Sequence, residues 1–440
     1  MTAFAAGIAL PTGDLYARNL IDGAWRFPAA PYEFEIRNPL DSTITATVPL
    51  SSRFDVARAV RAADVAAPGW AADSGLRFSL LSRLAGAMQT LAPALSALQR
   101  AETGLDPADS DQVATALVRI VRDAAGRTSS GTPGVSGHIL SWGTPLLELA
   151  AVVSDLAAGH TVVVKPSLRA PLSAVAVAHL ATELGFPPGV INVVQGTGED
   201  VGAALCGAAE FARLHVRASE RTLAQATRAT SVTAVPLGVV RAGGNVAVAG
   251  RDADPARVAA AVVDALRVHS TGGPLGLPDL AVQADVADAV IEAVVSAVEG
   301  IRPAPLPTET LRRRALARVR RLERAGLTIL TGGAPPDDIR HRMGWVLPPT
   351  VVKSTLVNDA TEPLGPVLTV RTWRRLDELA ETFTHARHVN GMASVFGLDP
   401  ADCAVVLPHP VLLRESGPAA GLAESRLPAG WISQHPAERF

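Results

Sequence analysis

The chain is poor in cysteine, with only Cys206 and Cys403 among its 440 residues. The two stand far apart in sequence, so no disulfide framework is expected, and a reducing, cytoplasmic setting is the default reading. Aromatic residues are sparse at 4 %, whereas hydrophobic residues reach 48 % and charged ones 19 %. That balance excludes intrinsic disorder and leaves aliphatic side chains to build the core. Neither charge sign is in excess: a net charge of −2 provides no overall field for nucleic acid or a membrane surface. Long apolar runs are missing too. The stretch from Leu146 to Val164 is interrupted by Glu148, Asp155 and Gly159-His160, which predicts helix, turn and buried strand instead of a membrane span. Met1-Thr2-Ala3-Phe4 opens the chain without a basic stretch followed by an apolar core, so no secretory signal is expected.

What the sequence does contain is alternation of helical and strand patterns over a length too great for one core, which suits two large domains. Helical periodicity runs through Phe54–Ala66 and Arg77–Leu98, and the β-branched runs Thr161–Val164 and Val190–Val194 predict buried strands of a parallel sheet. Pro255–Val268 and Val286–Val298 give two apolar-faced helices of a second α/β unit, and the Pro-rich Arg302–Pro307 predicts a loop. The fold class is therefore α/β, Rossmann-like and doubly wound in its first part. The arginines of Leu311–Arg324 share a helix with Leu311, Leu316, Val319 and Leu322, so they are expected to form a solvated face, with no nucleic acid as partner. His385 and His388 have the helical spacing of two metal ligands, but no third ligand stands nearby in sequence, and no metal is expected.

A string of segments carries a resemblance. Val239-Val240-Arg241-Ala242-Gly243-Gly244-Asn245 resembles the aldehyde dehydrogenase signature Glu-Leu-Gly-Gly-Lys with the acid replaced by Arg241. Ile21-Asp22-Gly23-Ala24-Trp25, Glu102-Thr103-Gly104, Ser141-Trp142-Gly143-Thr144-Pro145-Leu146 and Gly159-His160-Thr161-Val162-Val163-Val164-Lys165-Pro166-Ser167 fall in that family's order. So do Gly185-Phe186-Pro187-Pro188-Gly189-Val190-Ile191-Asn192 and Glu362-Pro363-Leu364-Gly365-Pro366. The resemblance implies an aldehyde-dehydrogenase-like fold. It places a Rossmann-like former NAD-binding domain over residues 1–240, a former catalytic α/β domain over 241–420, and a shortened 421–440 segment returning to the first.

The same resemblance implies that the family's catalytic parts are missing. Its nucleophile loop corresponds to His269–Leu275, with the cysteine position on Pro274 or Leu275. The oxyanion Asn corresponds to Gly143 and the base Glu to Arg241, a group that accepts no proton. Cys206 and Cys403 lie elsewhere and are expected to be small buried hydrophobes. The phosphate turn corresponds to Val216–Leu223, where Ala218 and Leu223 replace both glycines, so no cofactor is expected even though Lys165 and Glu362, the family's ribose contacts, remain. The family's oligomerisation hairpin and its partner strand look reduced or absent, which implies a monomer or a non-standard dimer instead of the family tetramer.

Three readings follow. The first is a repurposed, non-redox enzyme acting on a small carbonyl-bearing or anionic metabolite by cyclisation, dehydration or isomerisation. There His269 would be the general acid or base, Ser270 or Thr271 a hydroxyl donor, and Arg241 a ligand-binding cation, with Trp142 and Arg217 beside the substrate. The second is a non-catalytic scaffold or regulatory partner. The third is an NAD(P)-dependent aldehyde dehydrogenase with relocated catalytic residues.

Overall fold

A computed structural model describes residues 9–128, 131–218, 220–241, 245–269, 276–335, 344–354, 365–379, 392–399, 402 and 412–414. The chain divides into two compact units that part between Val240 and Arg241, with Pro39–Ser42 belonging to the second.

The first unit opens with a hairpin, β1 (Asn19–Ile21) and β2 (Ala24–Arg26), and a second antiparallel pair, β3 (Glu33–Arg37) and β4 (Ile44–Pro49). Four helices follow: α1 (Arg53–Ala72), α2 (Ser74–Thr90), α3 (Ala92–Thr103) and α4 (Pro107–Gly126). Each start has a local cause. Ser52 and Asp55 form a reciprocal capping box on α1, Asp73 Oδ1 accepts from Leu76 N at 2.8 Å on α2, and Asp106 caps α4 ahead of Pro107. The continuous helix expected over Arg77–Leu98 is in fact two. Pro93 has no N–H to give to the preceding turn, and its ring crowds the carbonyl four residues back, so the chain breaks at Leu91 and restarts with the proline in the first turn of α3.

The central sheet is built from β5 (Val135–Ile139), α5 (Pro145–Ala157), β6 (Thr161–Lys165), α6 (Leu172–Glu183), β7 (Ile191–Val193), α7 (Ala203–Cys206), β8 (Arg213–Ala218), α8 (Glu220–Thr233) and β9 (Leu237–Arg241). Its strand order is β2-β1-β7-β6-β5-β8-β9, and β7, β6, β5 and β8 run parallel. Because β6 and β7 extend to one side of β5 and β8 to the other, the order reverses between β5 and β8. That is the crevice at which doubly wound sheets place ligands, beyond the strand C-termini. The antiparallel β1 closes the β7 side, pairing Leu20 with Val193. Asn19 Oδ1 accepts from Gln195 N at 2.9 Å, and the Gln195 amide reaches Tyr16 O and Arg18 O. The turn before β7 passes so close to α1 that a Cβ at Gly189 would lie 2.4 Å from Ala62 O, and its φ is +80°, so only glycine fits there.

The second unit contains β10 (Val246–Ala249), α9 (Pro255–His269), β11 (Asp279–Gln283), α10 (Ala287–Glu299), β12 (Ala304–Pro305), α11 (Glu309–Arg324), β13 (Thr328–Thr331), β14 (Val346–Leu347), β15 (Thr350–Ser354), β16 (Val367–Trp373), β17 (Met392–Phe396) and β18 (Leu412–Arg414). Its sheet runs β13-β15-β16-β11-β10-β17-β18, parallel except for the β13 edge. Val258, Val262, Leu266, Val290 and Val294 from α9 and α10 cover it with Leu280, Val282 and Val370. The segment read as a Pro-rich loop contributes the short β12, which pairs with β14. In α11, Leu316, Val319 and Leu322 are buried as their spacing requires, but Arg318 is buried with them, so the solvated-arginine face is one residue narrower than expected. Arg312 and Arg313 both pair with Glu309.

Candidate functional site

At the crevice between β5 and β8, the first turn of α5 places Glu148 against the ends of both strands. Its carboxylate accepts from Ser141 N at 3.3 Å and Ser141 Oγ at 2.9 Å. Arg217, near the end of β8, sends Nη1 to Glu148 Oε2 at 3.3 Å and to the Glu148 carbonyl at 2.6 Å. The Arg217 side chain is 3 % exposed and that of Glu148 0 %. Trp142, the next residue after Ser141, is 8 % exposed and donates its indole N–H to Glu102 O at 3.3 Å. Both residues suggested by the sequence as substrate contacts thus hold protein partners. Arg217 tethers strand to helix, and Trp142 tethers the β5–α5 loop to α3.

Glu102, the last acid of α3, caps a different helix. Its carboxylate accepts from the first backbone N–H groups of α6, those of Leu172 and Ser173, and from Ser173 Oγ at 2.6 Å. Complete burial pushes its acid up to about 8, even though these three donors act to lower it. Lys165, at the end of β6, is 4 % exposed and donates Nζ to Pro166 O at 2.9 Å. Burial pushes its ammonium down to about 8.

Deeper under β5 and β8 lies a second polar group. The rings of His138 and His215 stack with centroids 4.9 Å apart, and both Nε2 atoms approach Asp155 Oδ2, at 3.1 and 3.2 Å. Arg213 Nη1 lies 3.5 Å from Asp155 Oδ1, while its Nη2 contacts His160 Nε2 at 2.9 Å and His160 Nδ1 contacts Ser136 Oγ at 3.0 Å. Burial pushes the His138 imidazole down to about 4. Nothing in the sequence signals this group, because its members come from two strands and a helix that only the fold brings together.

Arg241 is the last residue of β9 and His269 the last of α9. Ser270, Thr271, Pro274, Leu275, Glu362 and Cys403 lie outside the described residues, as do His385 and His388. Cys206 ends the short α7 at 6 % exposure, in an apolar cluster with Val201, Leu205, Leu214 and Leu223. Burial pushes its thiol up to about 11, the opposite of an activated nucleophile. Leu223 is 4 % exposed in the same cluster.

Residues 25–406 match the aldehyde dehydrogenase family model, and the chain belongs to that family. It is 26 % identical over 415 residues to the peroxisomal aminoaldehyde dehydrogenase 2 of Pisum sativum, covering 84 % of this chain and 81 % of that one. It is 27 % identical over 439 residues to the chloroplastic betaine aldehyde dehydrogenase of Beta vulgaris, covering 90 % and 86 %. Among solved structures, betaine aldehyde dehydrogenase of Staphylococcus aureus, in complex with NAD+, superimposes with a TM-score of 0.83 at 22 % identity over 92 % of this chain and 89 % of that one. Lactaldehyde dehydrogenase of Escherichia coli gives 0.79 at 22 %, covering 88 % of each. These likenesses establish the α/β aldehyde dehydrogenase fold, and small-molecule aldehydes are the substrates expected of the family. Among the described residues no helix is long and apolar enough to cross a membrane.

The expectation that no cofactor is involved is corrected. Relatives with this fold hold NAD+, and NAD dependence is typical of the family to which the chain belongs. Leu223 is one of the two residues that stand where the family's phosphate turn has glycine. Its side chain is buried in the apolar core.

Proposed function

We propose that the protein binds a nicotinamide dinucleotide and a small carbonyl compound on the aldehyde dehydrogenase scaffold, and that it transforms the carbonyl by acid–base chemistry instead of oxidation through a cysteine thioester. NAD+ would be held here without accepting hydride, because the proposed acid–base step transfers none. Lys165, at the C-terminal edge of β6 with a single backbone carbonyl as hydrogen-bond partner, is the side chain that would reach a ribose hydroxyl. The start of α8, which follows β8, would present its helix N-terminus to phosphate. Glu362 is the family's second ribose contact.

The observation that carries the reading is the environment of Cys206. A thiol 6 % exposed among aliphatic side chains and pushed up to about 11 delivers no thiolate at neutral pH. The chain's other cysteine, Cys403, comes long after the segment matching the nucleophile loop. Gly143 offers no side-chain amide to an oxyanion, and Arg241 holds its proton at all working pH values. A small carbonyl compound is then left with His269 as acid or base near neutral pH, Ser270 or Thr271 as hydroxyl donor, and Arg241 as the cation that favours an enolate or an anionic substituent.

The test offers NAD+ with lactaldehyde and a carboxylate-bearing semialdehyde to the purified protein, following NADH by absorbance and the carbonyl by NMR, with NAD+ binding measured by calorimetry. Calorimetric binding without NADH, and carbonyl conversion that His269→Ala abolishes, is the expected result. NADH formation that Cys403→Ser or Cys206→Ser abolishes would refute it in favour of a thioester enzyme with a relocated nucleophile.

A further inference from the structure

The group under β5 and β8 has the composition of a metal site. One ligand atom each from His138, His215 and Asp155 lies within 4.8 Å of the other two. The two imidazole nitrogens stand 3.1 and 3.2 Å from the same carboxylate oxygen. Those spacings resemble the edge of a tetrahedron with metal–ligand bonds of about 2.0–2.1 Å, which is about 3.3 Å.

Ion pairing accounts for part of the arrangement. Neither imidazole contact has hydrogen-bond alignment: both ring nitrogens of His138, Nε2 of His215 and both oxygens of Asp155 are buried without a hydrogen-bond partner. Four of these atoms meet a partner only at ion-pair distance, and buried polar atoms left without hydrogen bonds are costly. An ion that accepts lone pairs from imidazole and carboxylate together would satisfy the inward-facing ones at once. Arg213 does not occupy that position. It lies on the other carboxylate oxygen, and its second nitrogen is turned toward His160.

We propose that His138, Asp155 and His215 bind one divalent transition-metal ion of the imidazole-preferring kind, with Zn2+ as the reference ion. The ligands come from β5, α5 and β8, so the ion ties two neighbouring strands to the helix that covers them. His138 and Asp155 are wholly enclosed, while the His215 side chain is 11 % exposed and marks the side from which the ion enters. The role is structural and independent of the chemistry proposed above, because the site lies beneath the sheet in the first unit and uses neither His269 nor Arg241.

The test uses the whole chain, freed of metal by chelator and dialysis. Zn2+ should bind at one ion per chain and raise Tm in proportion to the logarithm of free metal, and Co2+ should give the intense visible bands of a low-coordinate site. His215→Gln, at the partly open edge, should abolish both while leaving the far-ultraviolet circular dichroism unchanged. His385→Ala/His388→Ala should retain both, which separates this site from the other histidine pair. Wild-type protein that shows no saturable binding of Zn2+ or Co2+ overturns the proposal without any variant having to fold. Stoichiometric binding that survives His215→Gln overturns it as well.

Discussion

Arg217 and Glu148 are joined twice, by side chain to side chain and by side chain to backbone, and both are almost entirely out of water. The guanidinium thus acts as a clamp between β8 and the first turn of α5, at the crevice where the strand order reverses. A buried pair of this kind is costly to break from one side. Arg217→Met leaves a carboxylate with only Ser141 as partner and should destabilise the protein by about 3–5 kcal/mol. Arg217→Met/Glu148→Gln should regain more than half of that loss, because the uncompensated charge goes while the Ser141 contacts stay. Urea denaturation of the three proteins decides the matter, and a neutral Arg217→Met would show that the clamp contributes nothing.

Glu102 predicts a pH effect. Its folded-state acid lies near 8, above its ordinary 4.5, so between those values the folded protein binds the proton more tightly than the unfolded chain does. Stability contributed by this group is therefore full below about pH 4.5 and is lost as pH rises through about 8. Glu102→Gln removes the titration and keeps the shape, so the variant should show a flatter decline of Tm across that window. Equal slopes in parent and variant would assign the decline to other groups.

Lys165 works in the opposite direction along the pH scale. Its ammonium is depressed from 10.5 to about 8, so the unfolded chain binds the extra proton in that interval and stability rises with pH from about 8 to 10.5. Below pH 8 the folded state carries the whole penalty of a buried charge, on the order of 3 kcal/mol. Lys165→Met should accordingly be more stable than its parent at pH 7, converge with it near pH 10.5, and bind NAD+ more weakly in calorimetry. A variant that binds NAD+ as its parent does would remove Lys165 from the proposed ribose contact.

The connection between α4 and β5 bears on assembly. α4 ends at Gly126 and β5 begins at Val135, and we propose that this short connection replaces the inter-subunit hairpin implied by the sequence resemblance. Light scattering coupled to size exclusion is expected to find a monomer or dimer. A tetramer at micromolar concentration would overturn the proposal.

Much of the fold was legible because its signals are local. The β-branched run Thr161–Val164 can only be a buried strand, and Pro255–Val268 carries a helical stripe that the structure extends by one residue. Pro93 is equally visible, and its clash with the turn before it divides the helical period over Arg77–Leu98 into two helices. The direction of Leu223 could not be read, since its facing depends on where α8 begins relative to β8. His138, Asp155 and His215 stayed hidden for a related reason. Each fits its own strand or helix unremarkably, and only the parallel pairing of β5 with β8 under α5 brings their polar atoms together.

The pairing of β1 with β7 also governs the order in which the first unit can be made. Leu20 finds Val193, and Asn19 finds Gln195, only after all the chain between them has left the ribosome. Until then the hairpin is an unmatched sheet edge, open to other nascent chains. Such distant partners raise contact order and slow folding. The N-terminal hairpin is thus synthesised early and docked late, and a slow step in refolding should report the arrival of residues 191–195 at its side.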